Sequence, residues 1–251
     1  MSVRKRIGVM VPSTNTTCEA DFGMVVPRGV TVHGQRLWMT NDANGDAAYQ
    51  RMNGEIETGA RYLATARVDV IAYGCTTGSF YKGPGWDNEM LALIERAARV
   101  PAVATTPSVV AALRAFGARR ISVATPYPDW NNQRLRAYLE AQGFEVLNVD
   151  GEPEAAASGN QGINDQSPES VVAFASTVCR RDADVLLCSC TAWRSVEAVE
   201  ALEQRTGKPV VTSNQATIWT ALGAIGIPER VSGFGRLFER PAPAAVAGAA
   251  R

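Results

Sequence analysis

Six short runs along the chain are apolar at nearly every position: IGVMV (7–11), VDVIAY (68–73), AVA (102–104), ISVA (121–124), VLLC (185–188) and VVT (210–212). A strand with one face in water alternates apolar and polar residues, whereas a strand covered on both faces is apolar throughout. These runs therefore predict parallel strands buried from two sides. Between them, MLALIERAA (90–98), VVAALRAF (109–116) and VEAVEALE (196–203) space their apolar residues at helical intervals. Strand-then-helix order, repeated, predicts an α/β fold around parallel sheet.

The chain also resembles itself. DVIAYGCT (69–76) matches DVLLCSCT (184–191), each with an Asp six positions before a Cys-Thr pair. Upstream, IGVMVPS (7–13) pairs with ISVATPY (121–127), and downstream VPAVATT (100–106) pairs with KPVVTSN (208–214). Three matches in one order predict two like-built halves, about 1–115 and 116–230. A C-terminal extension, 231–251, follows; we expect it to return to the first half and to end in a loosely held tail, RPAPAAVAGAAR (240–251). In open α/β sheets, ligands bind at the C-terminal ends of strands. Two facing halves would bring Cys75 and Cys190 to opposite walls of one cleft.

Composition narrows the partners. With 25 basic and 25 acidic residues among 251, the chain offers no electrostatic argument for nucleic acid or an anionic membrane surface. The basic start leads into an apolar run that stops at Pro12, which reads as a first strand rather than a signal peptide. Five cysteines without a CxxC pair and one histidine, His33, cannot assemble a familiar zinc site. Free thiols in a reducing cytoplasm are the expectation.

The candidate chemistry lies at the strand ends. A free thiol ionises near pH ~8.5, and helix N-terminal amides lower that to roughly 3.5–7.5. Cys75 is followed by TTGS, a turn of small donors expected to favour a thiolate; Cys190 is followed by TAW, expected to favour the neutral thiol. Cys18, Cys179 and Cys188 lack that context and read as small buried hydrophobes. PSTNTTCE (12–19) contains a Thr16-x-x-Glu19 capping-box pattern, with Asn15 left over as a donor to an anion. TPYPDW (125–130) sits at the matching place in the second half and supplies Tyr127. Lys82 and Arg194 read as rim residues, so a small anion would be held by amides, Asn and hydroxyl groups.

Taken together, VPSTNTTCE (11–19), YGCTTGSF (73–80), ATPYPDW (124–130), SCT (189–191) and KPVVTSNQA (208–216) resemble the maleate cis-trans isomerases of the aspartate/glutamate racemase superfamily, to which arylmalonate decarboxylase is related. The resemblance runs in order to FGRLFE (234–239). It implies two pseudo-symmetric Rossmann-like domains, each a short parallel sheet flanked by helices, with the active site between them. It also implies a cofactor-independent isomerase in which Cys75 is the nucleophile and Cys190 handles the proton. Asn15 and Tyr127 would bind substrate carboxylates, as would an Asn within SGNQGINDQSPE (158–169), where spacing back from Pro168 favours Asn160, with Asn164 the alternative. Amides around Thr76 and Thr191 would stabilise charge developing during addition. No metal, flavin or nicotinamide is called for. We further expect a homodimer or higher homo-oligomer. Other readings are a two-cysteine racemase of an acidic amino acid, a decarboxylase (against which a cysteine instead of glycine at 75 argues), and a non-catalytic dicarboxylate-binding protein.

Overall fold

The computed structural model describes residues 4–40, 45–227 and 231–243. The first half runs β1 (Lys5–Pro12), α1 (Cys18–Val25), β2 (Val30–Leu37), α2 (Asp46–Asn53), α3 (Ile56–Thr65), β3 (Val70–Tyr73), α4 (Thr76–Phe80), α5 (Trp86–Ala98), β4 (Ala102–Ala104) and α6 (Thr105–Ala115). The second runs β5 (Arg120–Thr125), α7 (Asp129–Ala141), β6 (Glu145–Gly151), α8 (Pro153–Asn164), α9 (Pro168–Val178), β7 (Val185–Cys188), α10 (Val199–Thr206), β8 (Val210–Thr212) and α11 (Ser213–Ala224), with a final 3₁₀ turn at Arg236–Glu239. Two parallel four-stranded sheets result, ordered β2-β1-β3-β4 and β6-β5-β7-β8. The internal repeat thus appears as one topology built twice.

All six predicted strands are present, and β2 and β6 are additional. Both lie at a sheet edge, where one side of the strand meets solvent, and their sequences VTVHGQRL and EVLNVDG interleave polar residues accordingly. Continuous hydrophobicity finds the central strands and the apolar edges β4 and β8, on which α6 and α11 pack, and misses polar edges such as these two. The repeat-related aspartates start the central pairings. Asp69 accepts from the Arg6 amide at 2.7 Å, and Asp184 accepts from those of Arg119 and Arg120 at 2.9 and 2.8 Å. Each satisfies a backbone donor where β1 or β5 begins.

The two halves are clasped by α6 and α11, which pack on each other. Ser108 and Thr220 hydroxyls meet at 2.6 Å within that contact, and α11 also reaches β3, β4 and α1. The return to the first half is therefore made by α11. The described part of the extension packs on β8 and α11 through Arg236–Glu239. Trp219 donates to the Arg240 carbonyl at 3.1 Å, while the Arg240 guanidinium lies over Phe116. Residues 244–251 of the expected tail lie outside the described residues. Among the described residues, no helix is long and apolar enough to cross a membrane.

In each sheet the chain steps one way from its first strand and the other way afterwards. The crevice between β1 and β3, and that between β5 and β7, are such switch points, where strand-end loops splay apart and leave room for a ligand. Four loops meet there: those after β1, β3, β5 and β7.

Candidate active site

These four loops line one cavity of about 490 Å³ between the halves. Cys75 and Cys190 both line it, one from each half, joined by Asn15, Thr76, Tyr127, Asn160 and Thr191. Every residue singled out from the sequence thus reaches the same space, except Asn164.

Cys75 follows β3 by two residues and is the extended N-cap of α4; its Sγ accepts the Gly78 amide at 3.3 Å. A Cβ at Gly78 would overlap the Tyr73 hydroxyl and come within 3.1 Å of Cys75 Sγ, so glycine alone fits there. The hydroxyls of the TTGS turn do not serve the thiol. Thr76 pairs with Ser213 at 3.0 Å, Thr77 accepts from Asn131 at 2.8 Å, and Ser79 donates to the Thr76 carbonyl at 2.7 Å. Burial pushes Cys75 up to about 12, against the smaller opposing pull of the Gly78 amide. Cys190 Sγ accepts the Ala192 amide at 3.3 Å. Burial pushes it up to about 11, opposed by the Tyr127 phenol and the amides of Ala192 and Trp193. These surroundings do not single out Cys75 as the more acidic of the two thiols. Desolvation acts on both thiols, and the hydroxyls that suggested a difference are bonded elsewhere.

The loop after β1 also departs from its expected capping. The Thr16–Glu19 box does not form: α1 begins at Cys18, and Glu19 pairs with Arg36. Asn15 takes over, its Oδ1 accepting the Thr17 and Cys18 amides, both at 2.9 Å. Its Nδ2 donates to Thr191 Oγ1 at 3.1 Å, which leaves one N–H of that amide for the cavity. Asn15 therefore caps a helix and links the halves at once.

Tyr127 is set by its own loop. Thr125 Oγ1 accepts the Tyr127 amide at 3.1 Å and donates to Asn132, and Asn132 Nδ2 returns to the Tyr127 carbonyl at 3.0 Å. Gly151 lies so close that a Cβ would overlap that carbonyl. Of the two asparagines on α8, Asn160 lines the cavity and donates to the Thr40 carbonyl at 3.2 Å. Asn164 instead ties α8 to the loop after β1, accepting the Thr16 amide at 3.0 Å and donating to the Thr14 carbonyl at 2.9 Å.

Tyr49, Met39, Trp130 and Asn131 line the cavity without having been singled out. Tyr49 stands on α2, a helix the apolar pattern did not reveal. Trp130 belongs to the quoted TPYPDW segment and Asn131 follows it, so strand-end position was the available signal. Lys82 lies over the Trp86 ring at 4.0 Å and Arg194 pairs with Glu197 at 2.8 Å; neither lines the cavity. Cys18 and Cys188 are buried outside it, and Cys179 is partly exposed at the end of α9. Among the described residues, no three His, Cys, Asp or Glu side chains group so as to hold a metal ion.

Two parallel α/β halves that present one thiol each to a shared cavity, lined among the described residues by uncharged side chains, define a two-cysteine α/β scaffold suited to small-acid chemistry. Comparison with known proteins makes this specific: the profile of the arylmalonate decarboxylase family matches residues 7–238, and the chain belongs to that family. A maleate isomerase from Nocardia farcinica is 30% identical over 247 residues, covering 94% of this chain and 96% of that one. Among solved structures, the maleate isomerase Iso from Pseudomonas putida S16, a cysteine-to-alanine variant with maleate, superimposes with a TM-score of 0.86 at 26% identity, covering 93% of this chain and 97% of that chain. A cysteine-to-serine mutant of the Nocardia farcinica maleate cis-trans isomerase, with a covalently bound succinylcysteine intermediate, superimposes equally at 0.86 and 26%, covering 93% and 98%.

Proposed function

We propose that the protein converts maleate to fumarate without a cofactor, through a covalent adduct on Cys75. The observation that carries this reading is the placement of two thiols, from repeat-related strand ends, in one cavity. Cys75 thiolate adds to one alkene carbon as Cys190 gives its proton to the other, forming a Cys75-linked succinate and a Cys190 thiolate. The former double bond is now single and rotates. Cys190 thiolate then removes the proton, the C–S bond breaks, and fumarate leaves with both cysteines restored. The adduct replaces a forbidden rotation by permitted steps.

The free N–H of Asn15, the Tyr127 phenol and Asn160 hold the carboxylates, and amides at Thr76 and Thr191 face the charge that develops during addition. Among the described residues that line the cavity there is no Asp or Glu to face the ammonium of an amino acid, which weighs against a racemase. A thiol at position 75 weighs against a decarboxylase, and two thiols in one cavity against simple binding. Five free cysteines support a reducing cytoplasm.

The test is proton NMR of purified protein with maleate and with each acidic amino acid, without added cofactor. Fumarate should form from maleate alone. Incubation of Cys190→Ser with maleate should leave an adduct on the Cys75 peptide by mass spectrometry; an adduct on the Cys190 peptide of the unaltered protein would reverse the roles.

A further inference from the structure

The segment KPVVTSNQA (208–216) has so far played no part in the chemistry. Its Thr212 and Gln215 form a complete capping box, with Gln215 N–H donating to Thr212 Oγ1 at 3.1 Å and Gln215 Oε1 accepting the Thr212 amide at 3.2 Å. Gln215 Nε2 also donates to the Phe234 carbonyl at 2.6 Å, fastening the helix start to the extension. The two residues enclosed by this box, Ser213 and Asn214, are fully buried.

Each of the two touches the residue that follows one cysteine. Ser213 Oγ meets Thr76 Oγ1 at 3.0 Å, directly after Cys75. Asn214 Nδ2 donates to the Thr191 carbonyl at 2.9 Å, directly after Cys190, and to Asp21 Oδ2 at 2.7 Å. A carbonyl only accepts, so the amide orientation of Asn214 is fixed by Thr191. Thr191 is then held from both ends, its carbonyl by Asn214 and its hydroxyl by Asn15. In the first half the repeat-related Thr105 and Thr106 behave differently. Thr105 donates to the Tyr73 carbonyl at 3.0 Å and accepts from Thr217 of α11 at 3.3 Å, and Thr106 pairs with Ser79, so neither reaches the loop after β7. Only the second copy spans the two cysteine loops.

We propose that Ser213 and Asn214 are positioning residues that fix the two thiol-bearing loops relative to each other, with Asp21 bracing Asn214 from the first half. Neither of the pair lines the cavity, so both act through Thr76 and Thr191. The proposal rests on the division of roles given above for Cys75 and Cys190. Sulfur and proton must arrive at neighbouring carbons together, and a misplacement of about 1 Å costs roughly 10²-fold in rate. One rigid helix start that grips both loops removes that freedom, because adjacent residues of a capped turn cannot move independently.

The test uses Asn214→Ala, Ser213→Ala and the conservative Ser213→Thr in the full chain. For maleate, Asn214→Ala and Ser213→Ala should lower kcat by roughly 10- to 100-fold while KM stays within about threefold, and Ser213→Thr should recover most of the loss. Independently of substrate, iodoacetamide labelling followed by peptide mass spectrometry should show a changed rate at Cys190 in Asn214→Ala and at Cys75 in Ser213→Ala. Unaltered kcat with unaltered labelling, or equal changes at both cysteines in both variants, would overturn the proposal. Absence of maleate turnover in the unaltered protein would sink the reading of function, and the labelling pattern would still decide the positioning role. Should Asn214→Ala fail to fold, Ser213→Ala and its rescue by Ser213→Thr decide alone.

Discussion

Asp21 offers a measurable consequence of burying a carboxyl between the halves. It is 1% exposed on α1, and burial pushes it from 3.8 up to about 7; the Asn214 hydrogen bond and Arg194 oppose that rise, and Glu197 adds to it. The unfolded chain therefore loses this proton near pH 4, while the folded protein keeps it to near neutrality. Below the unfolded value both states are protonated and the group costs nothing. As pH rises through the window the folded state becomes progressively less stable relative to the unfolded one, and above about 7 the penalty is constant. The whole window is worth ~4 kcal/mol, at 1.36 kcal/mol per unit, and the part between pH 5 and pH 8 ~3 kcal/mol. Asp21→Asn keeps an acceptor for Asn214 and cannot ionise. Urea unfolding of both proteins at the two pH values isolates the effect. The stability of the variant relative to the unaltered protein should grow by ~3 kcal/mol from pH 5 to pH 8. A difference that stays constant within about 0.5 kcal/mol would refute the reasoning, because no other group is changed.

Other predictions test the site itself. Cys75→Ala and Cys190→Ala should each abolish turnover, while Cys18→Ala and Cys179→Ala should retain it; equal losses in all four, at equal folding, would remove the assignment. Because burial raises both thiols and the attacking form is a thiolate, kcat/KM should rise with pH from 6 to 9 instead of levelling off near neutrality, as stopped-flow or NMR rates would show. Gly151→Ala forces a Cβ into the Tyr127 carbonyl and should lower kcat/KM about tenfold or more with modest change in melting temperature. Asn160→Ala should raise KM with little loss of stability, whereas Asn164→Ala should cost ~2 kcal/mol of folding stability by removing its part-buried hydrogen bonds to the Thr16 amide and the Thr14 carbonyl, as urea titration would reveal.

Much of the architecture was legible along the chain because buried central strands must be apolar on both faces, whatever surrounds them. The same repetition that marked two halves also marked Cys75 and Cys190, since repeat-related loops at strand ends occupy equivalent places around a pseudo-twofold cleft. Edge strands β2 and β6 were hidden because half of their surface meets water, and α2, with Tyr49, carried no pattern that local periodicity could detect. Spacing back from Pro168 points to Asn160 over Asn164, and tertiary structure supplies the reason: four positions apart on one helix, their side chains meet different loops of the other half. The thiol acidities were likewise beyond local reading. The flanking hydroxyls of Cys75 are visible in its sequence, but whether they solvate sulfur depends on Ser213 and Asn131, 138 and 56 positions away, which claim them first. Sequence sets which groups are present at a strand end; only packing decides which of their hydrogen bonds remain free.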